Sequence, residues 1–291
     1  FAGMVLTLYT GDGSAVEVAR VQPMKLAAME GLYDGKVGQE LVAFGITNPE
    51  KKAGDDLDPM LFEISIPYGL SILANHDAHS FVPGINDLIA GRAINADGDT
   101  VNTVSYDERI AIGKAARQAL KEFGEAKAAG DTAAMNAARS ELMAGFKYFG
   151  YGYFDSADEA VPPVGLTFYS FRVMVIAGGY LFALFIALLF ICYRSRKFLE
   201  RTWLHWLGML SIVVVWVCSQ AGWIVAEVGR QPWVIQDLMP TRAAISDISG
   251  GSVQLTFWIF ALLFTLMLAA EISIMLRYIN RVSKTEIEQH D

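Results

Sequence analysis

Three short clusters of residues have types and spacings that can do chemistry. The first is Gln22-Pro-Met-Lys25-Leu-Ala-Ala-Met-Glu30. Lys25 and Glu30 stand five apart, off the i,i+4 register that makes an ion pair on a helix surface. They read either as two solvated charges or as a cation and a carboxylate flanking an apolar surface, where a quinol headgroup can bind and give the carboxylate its proton. The second cluster is Phe171-Arg172-Val173-Met174. A methionine in an apolar run is commonly a gap-filler. Its thioether is also an axial ligand for haem iron, usually opposite a histidine, and a neighbouring arginine can pair a haem propionate. The third runs from Gly222-Trp223 through Glu227 to Arg230-Gln-Pro-Trp233. Trp223 and Glu227 are four apart and Glu227 and Arg230 three apart, so the spacing predicts one shared helix face. Glu227 is then either an interfacial partner for Arg230 or an ionisable group at membrane depth marking a ligand or proton path, such as a carboxylate on a metal centre.

Apolar helices must hold the second and third clusters. Val173 to Tyr193, Leu204 to Ala226 and Val253 to Leu276 are each long enough to cross a hydrocarbon core of ~30 Å, which takes about 20 helical residues. Glu271 is the one charge inside them, open between a proton-path group and a partner for a neighbouring helix. With 53% hydrophobic residues and a mean hydropathy of +0.34, the chain is neither disordered, collagen-like nor a disulfide scaffold. The expected fold is all-α: an integral membrane helical bundle with a large, mostly helical extracytoplasmic loop domain. Cys192 and Cys218 lie in the apolar helices and read as small buried apolar residues.

Charge divides the chain. Residues 1–165 hold 13 Lys and Arg against 23 Asp and Glu, whereas residues 166–291 hold 10 against 8, which implies two different solvents. The net charge of −8 gives nucleic-acid binding no electrostatic support. Arg194, Arg196, Lys197 and Arg201 crowd the link between the first two spans, and Arg277, Arg281 and Lys284 follow the third. The positive-inside rule places that link and the tail at 278–291 in the cytoplasm, with residues 10–165 and 228–252 extracytoplasmic. The transmembrane helices are expected at 168–193, 203–227 and 253–277. Residues 1–9 are apolar, with no basic n-region or small-residue cleavage site, so they read as the end of a preceding transmembrane helix in a longer protein. Within the outward segment a helix is expected over Val21 to Tyr33, a break over Asn48 to Pro59, and an apolar stretch over Leu61 to Ile72 against the membrane surface. A helix pair is expected over Asp107 to Phe123 and Asp131 to Phe149, each opened by an Asp N-cap and separated by Gly130.

Together, Lys25-Leu-Ala-Ala-Met-Glu30, Phe171-Arg-Val-Met-Val175 and Gly222-Trp223 through Gly229-Arg-Gln-Pro-Trp233 resemble the large subunit (subunit I) of cytochrome bd-type quinol oxidases, over essentially the whole chain. The long outward segment looks like that family's long quinol-binding loop. The resemblance implies that Met174 is the axial ligand of a low-spin haem b, with Arg172 close to it. It implies that Glu227 belongs to the region of the high-spin haem b and haem d, as an iron ligand there, with Trp223 and Arg230 lining that region. Lys25 and Glu30 would act in quinol oxidation. The implied reaction couples quinol oxidation on the outer side to reduction of dioxygen to water, generating proton-motive force without pumping. It further implies a bacterial cytoplasmic (inner) membrane, membrane lipid, a second large membrane subunit and a small single-span subunit.

One departure is large. The family's histidine ligands belong to a preceding half of the subunit, and the four histidines here do not replace them. His205 opens the second span at its cytoplasmic end, far from Met174, and His290 is in a polar tail. His76 and His79 form a His-Asp-Ala-His run without further evident ligands. The residues present should therefore need the N-terminal half of the same subunit to hold the full haem set. Two other classes fit the composition: a transporter or channel subunit, and a non-catalytic anchor carrying an outward binding module.

Overall fold

The structure is a computed structural model that describes residues 1–94, 100–194 and 201–288; Arg196, Lys197 and His290 lie outside them. It divides into two units, Phe1–Ala244 and Ile245–Asp291.

In the first unit, helix α1 (Ala2–Val21) carries on past the apolar opening at residues 1–9. The helix expected over 21–33 is broken at Gln22, after which Pro23 opens a separate helix, α2 (Pro23–Glu30), at a position where its missing N–H costs nothing. Gly31 closes α2 at φ +64°, and the Leu32 N–H folds back to Ala27 O at 2.8 Å, a left-handed stop that suits glycine.

Short strands follow, in an outward segment expected to be mostly helical. β1 (Lys36–Val37) pairs with β4 (Phe81–Val82). β2 (Leu41–Thr47) and β3 (Met60–Ile66) form an antiparallel hairpin running from Leu41↔Ile66 to Thr47↔Met60, around the Pro- and Gly-containing 48–59 loop. The apolar stretch from Leu61 to Ile72 is thus a strand, a turn and the start of α3 (Gly69–Asn75). Helix α4 (Ile85–Ile89) leads to a small β5–β6 ladder (Arg92–Ile94 and Thr100–Asn102).

Helices α5 (Tyr106–Ala129) and α6 (Thr132–Gly145) form the expected pair. Asp131 caps α6, accepting from the N–H groups of Ala133 and Ala134. The cap of α5 is Ser105 rather than Asp107: its hydroxyl accepts from Glu108 N–H while the Glu108 carboxylate accepts from Ser105 N–H, a capping box that outcompetes a lone Asp two residues later. Beyond Gly145 the chain tightens into a 3₁₀ segment, Phe146–Tyr153. A Cβ on Gly113 would lie 2.4 Å from Gly152 N, so α5 and this segment meet backbone to backbone. Gly113→Val is expected to force them apart at about 1–3 kcal/mol or more, read as a lower melting temperature and faster proteolysis within 105–155.

Two apolar helices complete the unit, α7 (Val164–Arg194) and α8 (Thr202–Glu227), and they pack side by side. After α8, β7 (Trp233–Ile235) and β8 (Met239–Pro240) form a hairpin that returns to the 3₁₀ segment. Trp233 is buried there, 4.9 Å from the Tyr151 ring and 5.2 Å from Phe154.

Two buried clusters hold α2 between them. One joins Met24 and Ala27 to Tyr33, Tyr106, Tyr151, Phe154 and Trp233; the other joins Leu26 and Met29 to Leu70, Val82 and Val225. The second unit is dominated by α9 (Gly250–Glu288), with apolar side chains exposed on every face and Glu271 among them. A helix apolar all round is stable when lipid or other helices cover it. Among the described residues, three helices, containing the three expected spans, are long and apolar enough to cross a membrane.

Candidate functional site

Helix α2 sits where the three sequence clusters meet, and its two charged residues do not face one shared surface. Glu30 turns to α7. Its carboxylate, with 1% of the side chain exposed, accepts from Arg172 Nη2 at 2.7 Å and from Nη1 at 3.3 Å, and Nη1 also donates to Met29 O at 2.9 Å. The guanidinium lies 4.2 Å from the centroid of the Phe168 ring. Burial lifts the Glu30 carboxyl to about 7, and Arg172 acts in the opposite direction by favouring the ionised form.

Lys25 turns to α8. Its ammonium donates to Ala226 O at 3.2 Å, at the carbonyl end of the helix where a cation is favoured. Burial lowers its pKa, nearby Arg230 lowers it further, and Glu227 opposes both. Arg230 is not on the helix face that the spacing predicted. Helix α8 ends at Glu227, and Arg230 pairs back to the Glu227 carboxylate from the following turn. Trp223 is on α8 and 62% exposed.

Met174 lies in the crevice between α7 and α8. A Cβ on Gly222 would sit 3.2 Å from its sulfur, and the Cys218 thiol is 3.4 Å from Met174 O. The contact of Gly222 with Met174 depends on how α7 and α8 pack together, so the spacing within the Gly222-Trp223 motif carries no sign of it. Among the described residues, the buried Nε atoms of Arg172 and Arg230 have no acceptor. Two unfilled arginine donors, one on the helix that carries the partly buried Met174 thioether and one beyond the end of the helix packed against it, fit an anionic cofactor such as haem, whose propionates accept such donors.

The sequence reading also missed an apolar cavity of about 970 Å³ beside Gly31, lined by Tyr33, Lys51, Val161 and Tyr169 among others. Lys51 is nearly buried there and bonded to Asp55 at 2.7 Å. Its signal was concealed because a 48–59 stretch rich in Pro, Gly and charge reads as solvated loop. His76 is not a metal ligand partner of His79: its Nε2 meets the Asp12 carboxylate on α1 at 3.1 Å, while His79 packs edge-on to Tyr68. Among the described residues no three His, Cys, Asp or Glu side chains cluster as a metal site.

Residues 1–283 match the family model described as cytochrome bd terminal oxidase subunit I. The chain belongs to this family. It is 32% identical over 276 residues to the cytochrome bd-II ubiquinol oxidase subunit 1 of Escherichia coli (strain K12), covering 94% of the chain and 51% of that protein. It is 25% identical over 287 residues to the cytochrome bd ubiquinol oxidase subunit 1 of Bacillus subtilis (strain 168), covering 97% of the chain and 46% of that protein. The bd oxidase structure from Geobacillus thermodenitrificans shares the fold, with a TM-score of 0.58 at 22% identity over 96% of the chain and 46% of that one. The chain spans about half the length of the curated relatives it matches. Membership of a cytochrome bd family, with three helices able to cross a membrane, makes this a membrane protein from a family in which haem is expected, and speaks against the transporter or channel reading.

Proposed function

We propose that this chain is the quinol-oxidising, haem-carrying part of a terminal oxidase subunit in a bacterial cytoplasmic membrane, with residues 10–165 and 228–252 outside. One observation carries the reading: the buried pair of Glu30 and Arg172 ties the quinol-loop cluster to the helix of Met174. The quinol headgroup binds against α2, with the apolar cavity at Gly31 and Tyr33 suited to its hydrocarbon parts. Glu30 accepts a proton as the quinol O–H breaks, while Arg172 holds the resulting carboxyl in place. Lys25 fixes α2 to the end of α8 and so positions the quinol face relative to Glu227 and Arg230.

Met174 and Arg172 would hold the low-spin haem b, and Trp223, Glu227 and Arg230 would line the region of the high-spin haem b and haem d. Bound haem supplies one-electron transfer and, at the high-spin pair, reduction of dioxygen to water. Quinol protons leave outside and the protons for water come from inside, so the reaction generates proton-motive force without pumping. The histidine ligands come from the N-terminal half of the same subunit. A second large membrane subunit and a small single-span one complete the oxidase.

A pH profile tests the role of Glu30. An acceptor must be ionised, so quinol oxidation is expected to rise with pH through about 7. Arg172 is the cation on Glu30; Asp34, Lys36, Glu40 and Glu63, the other charged groups around the adjoining cavity, lie towards solvent. Glu30→Gln is expected to lose this limb along with most of the activity. A limb that persists unchanged in the variant assigns the titration to another group.

A further inference from the structure

A second, smaller cavity of about 190 Å³ is lined by Glu30 itself together with Gln39, Asp34, Glu40, Met60 and Glu63 among others. Its carboxylates are graded in exposure. Glu30 is sealed in, Glu40 has 38% of its side chain exposed beside Lys36, and Asp34 and Glu63 are in solvent.

Acidic side chains near a surface are ordinary; Gln39 is not. It is 9% exposed, and its backbone is fully engaged, the N–H donating to Ser71 Oγ at 2.7 Å and the carbonyl accepting from the N–H groups of Leu70 and Ser71. Its side-chain Oε1 is buried and meets no donor among the described residues. An orphaned amide oxygen costs about 1–3 kcal/mol, a penalty removed when a donor reaches it. The cavity provides room for one, since a water takes about 30 Å³. Each Glu30 oxygen accepts one hydrogen bond from Arg172 and retains a lone pair for a further donor.

We propose that this cavity is a hydrated proton exit, in which water held by Gln39 Oε1 takes the proton from Glu30 and passes it to Glu40 and Glu63 at the surface. The inference rests on the reading of Glu30 as the proton acceptor for quinol. In the step itself the Glu30 O–H bond breaks, a water oxygen gains that proton, and the carboxylate returns to Arg172 ready for the next one. No electrons move. The two cavities share Gly31, Tyr33 and Pro59 in their walls, with quinol on the Val161 and Tyr169 side and proton release on the Gln39 side.

The test uses the complete oxidase. Gln39→Leu removes the water-holding oxygen, and a Glu40→Gln, Glu63→Gln double variant removes the surface acceptors. In both, anaerobic reduction of haem by quinol is expected to slow by at least ~10-fold, with a larger solvent deuterium isotope effect and an unchanged KM for quinol. The spectrum after dithionite is expected to match the wild type. If Gln39→Leu does not fold, the double variant and a high-resolution map of the wild-type complex decide: density for water within hydrogen-bond distance of Gln39 Oε1 is the expected result, and a side chain or lipid filling the space overturns the exit. A wild-type oxidase that quinol reduces normally, with variants as fast and an equal isotope effect, overturns the exit alone. Failure of quinol to reduce the wild type overturns the underlying reading of Glu30 as well.

Discussion

Arg172→Leu is expected to be among the most damaging single changes in this chain, costing about 3–5 kcal/mol of stability and at least ~100-fold in quinol oxidation. The first figure follows from geometry. Glu30 has 1% of its side chain exposed, and both its oxygens depend on Arg172. Removing the cation leaves a nearly buried carboxyl without the counter-charge it pairs with, and leaves Met29 O without its donor. The second follows from protonation. Burial already raises the Glu30 pKa, and without Arg172 nothing opposes that rise, so the group stays protonated at neutral pH and cannot accept a proton. Arg172→Lys restores the charge without the two-pronged contact and is expected to fall between the two. Melting temperature and quinol turnover of the complete oxidase check both figures. A variant as stable as the wild type would show that the pair does not tie α2 to α7.

Met174→Leu is expected to abolish the low-spin haem b spectrum while leaving the haem d bands. Leucine and methionine differ little in volume, so the packing change costs less than about 1.5 kcal/mol and the helix pair should assemble. What disappears is the thioether. The sulfur lies against Gly222, where any larger residue would press on it, which fits a methionine held in place rather than one loosely filling space. Low-spin haem b that persists in a well-folded variant would return Met174 to the apolar core.

The three apolar helices were legible because length and lack of charge suffice to define them; α7, α8 and α9 contain the predicted spans. The α5–α6 pair was legible from its alanines and from Asp131 and Gly130, and the start of α5 was misplaced because Ser105 and Glu108 cap each other reciprocally. The strands were hidden. β1 and β4 are two residues each, too short to show alternation; β3 does alternate over Phe62-Glu63-Ile64-Ser65-Ile66, but Pro67 and the apolar residues beyond it merge that strand into one apolar stretch to Ile72. Residue types singled out the candidates, but their pairing was out of reach. Glu30 finds Arg172 142 residues away and Lys25 finds Ala226 201 residues away, and only the packing of α2 between two cores brings either about. Gln39 carries no sequence signal, since a glutamine becomes informative only when buried without a partner.

The central claim is that quinol is oxidised at Glu30 and that its electrons pass to haem held through Met174. The most direct measurement is a reduced-minus-oxidised absorption spectrum of the complete oxidase, taken anaerobically with quinol and again after dithionite, on the wild type and on Glu30→Gln. The account predicts haem b and haem d bands with either reductant in the wild type, and in the variant the same bands after dithionite but almost none with quinol. Full and equally rapid reduction of Glu30→Gln by quinol, or a well-folded wild-type complex without haem bands, would contradict it.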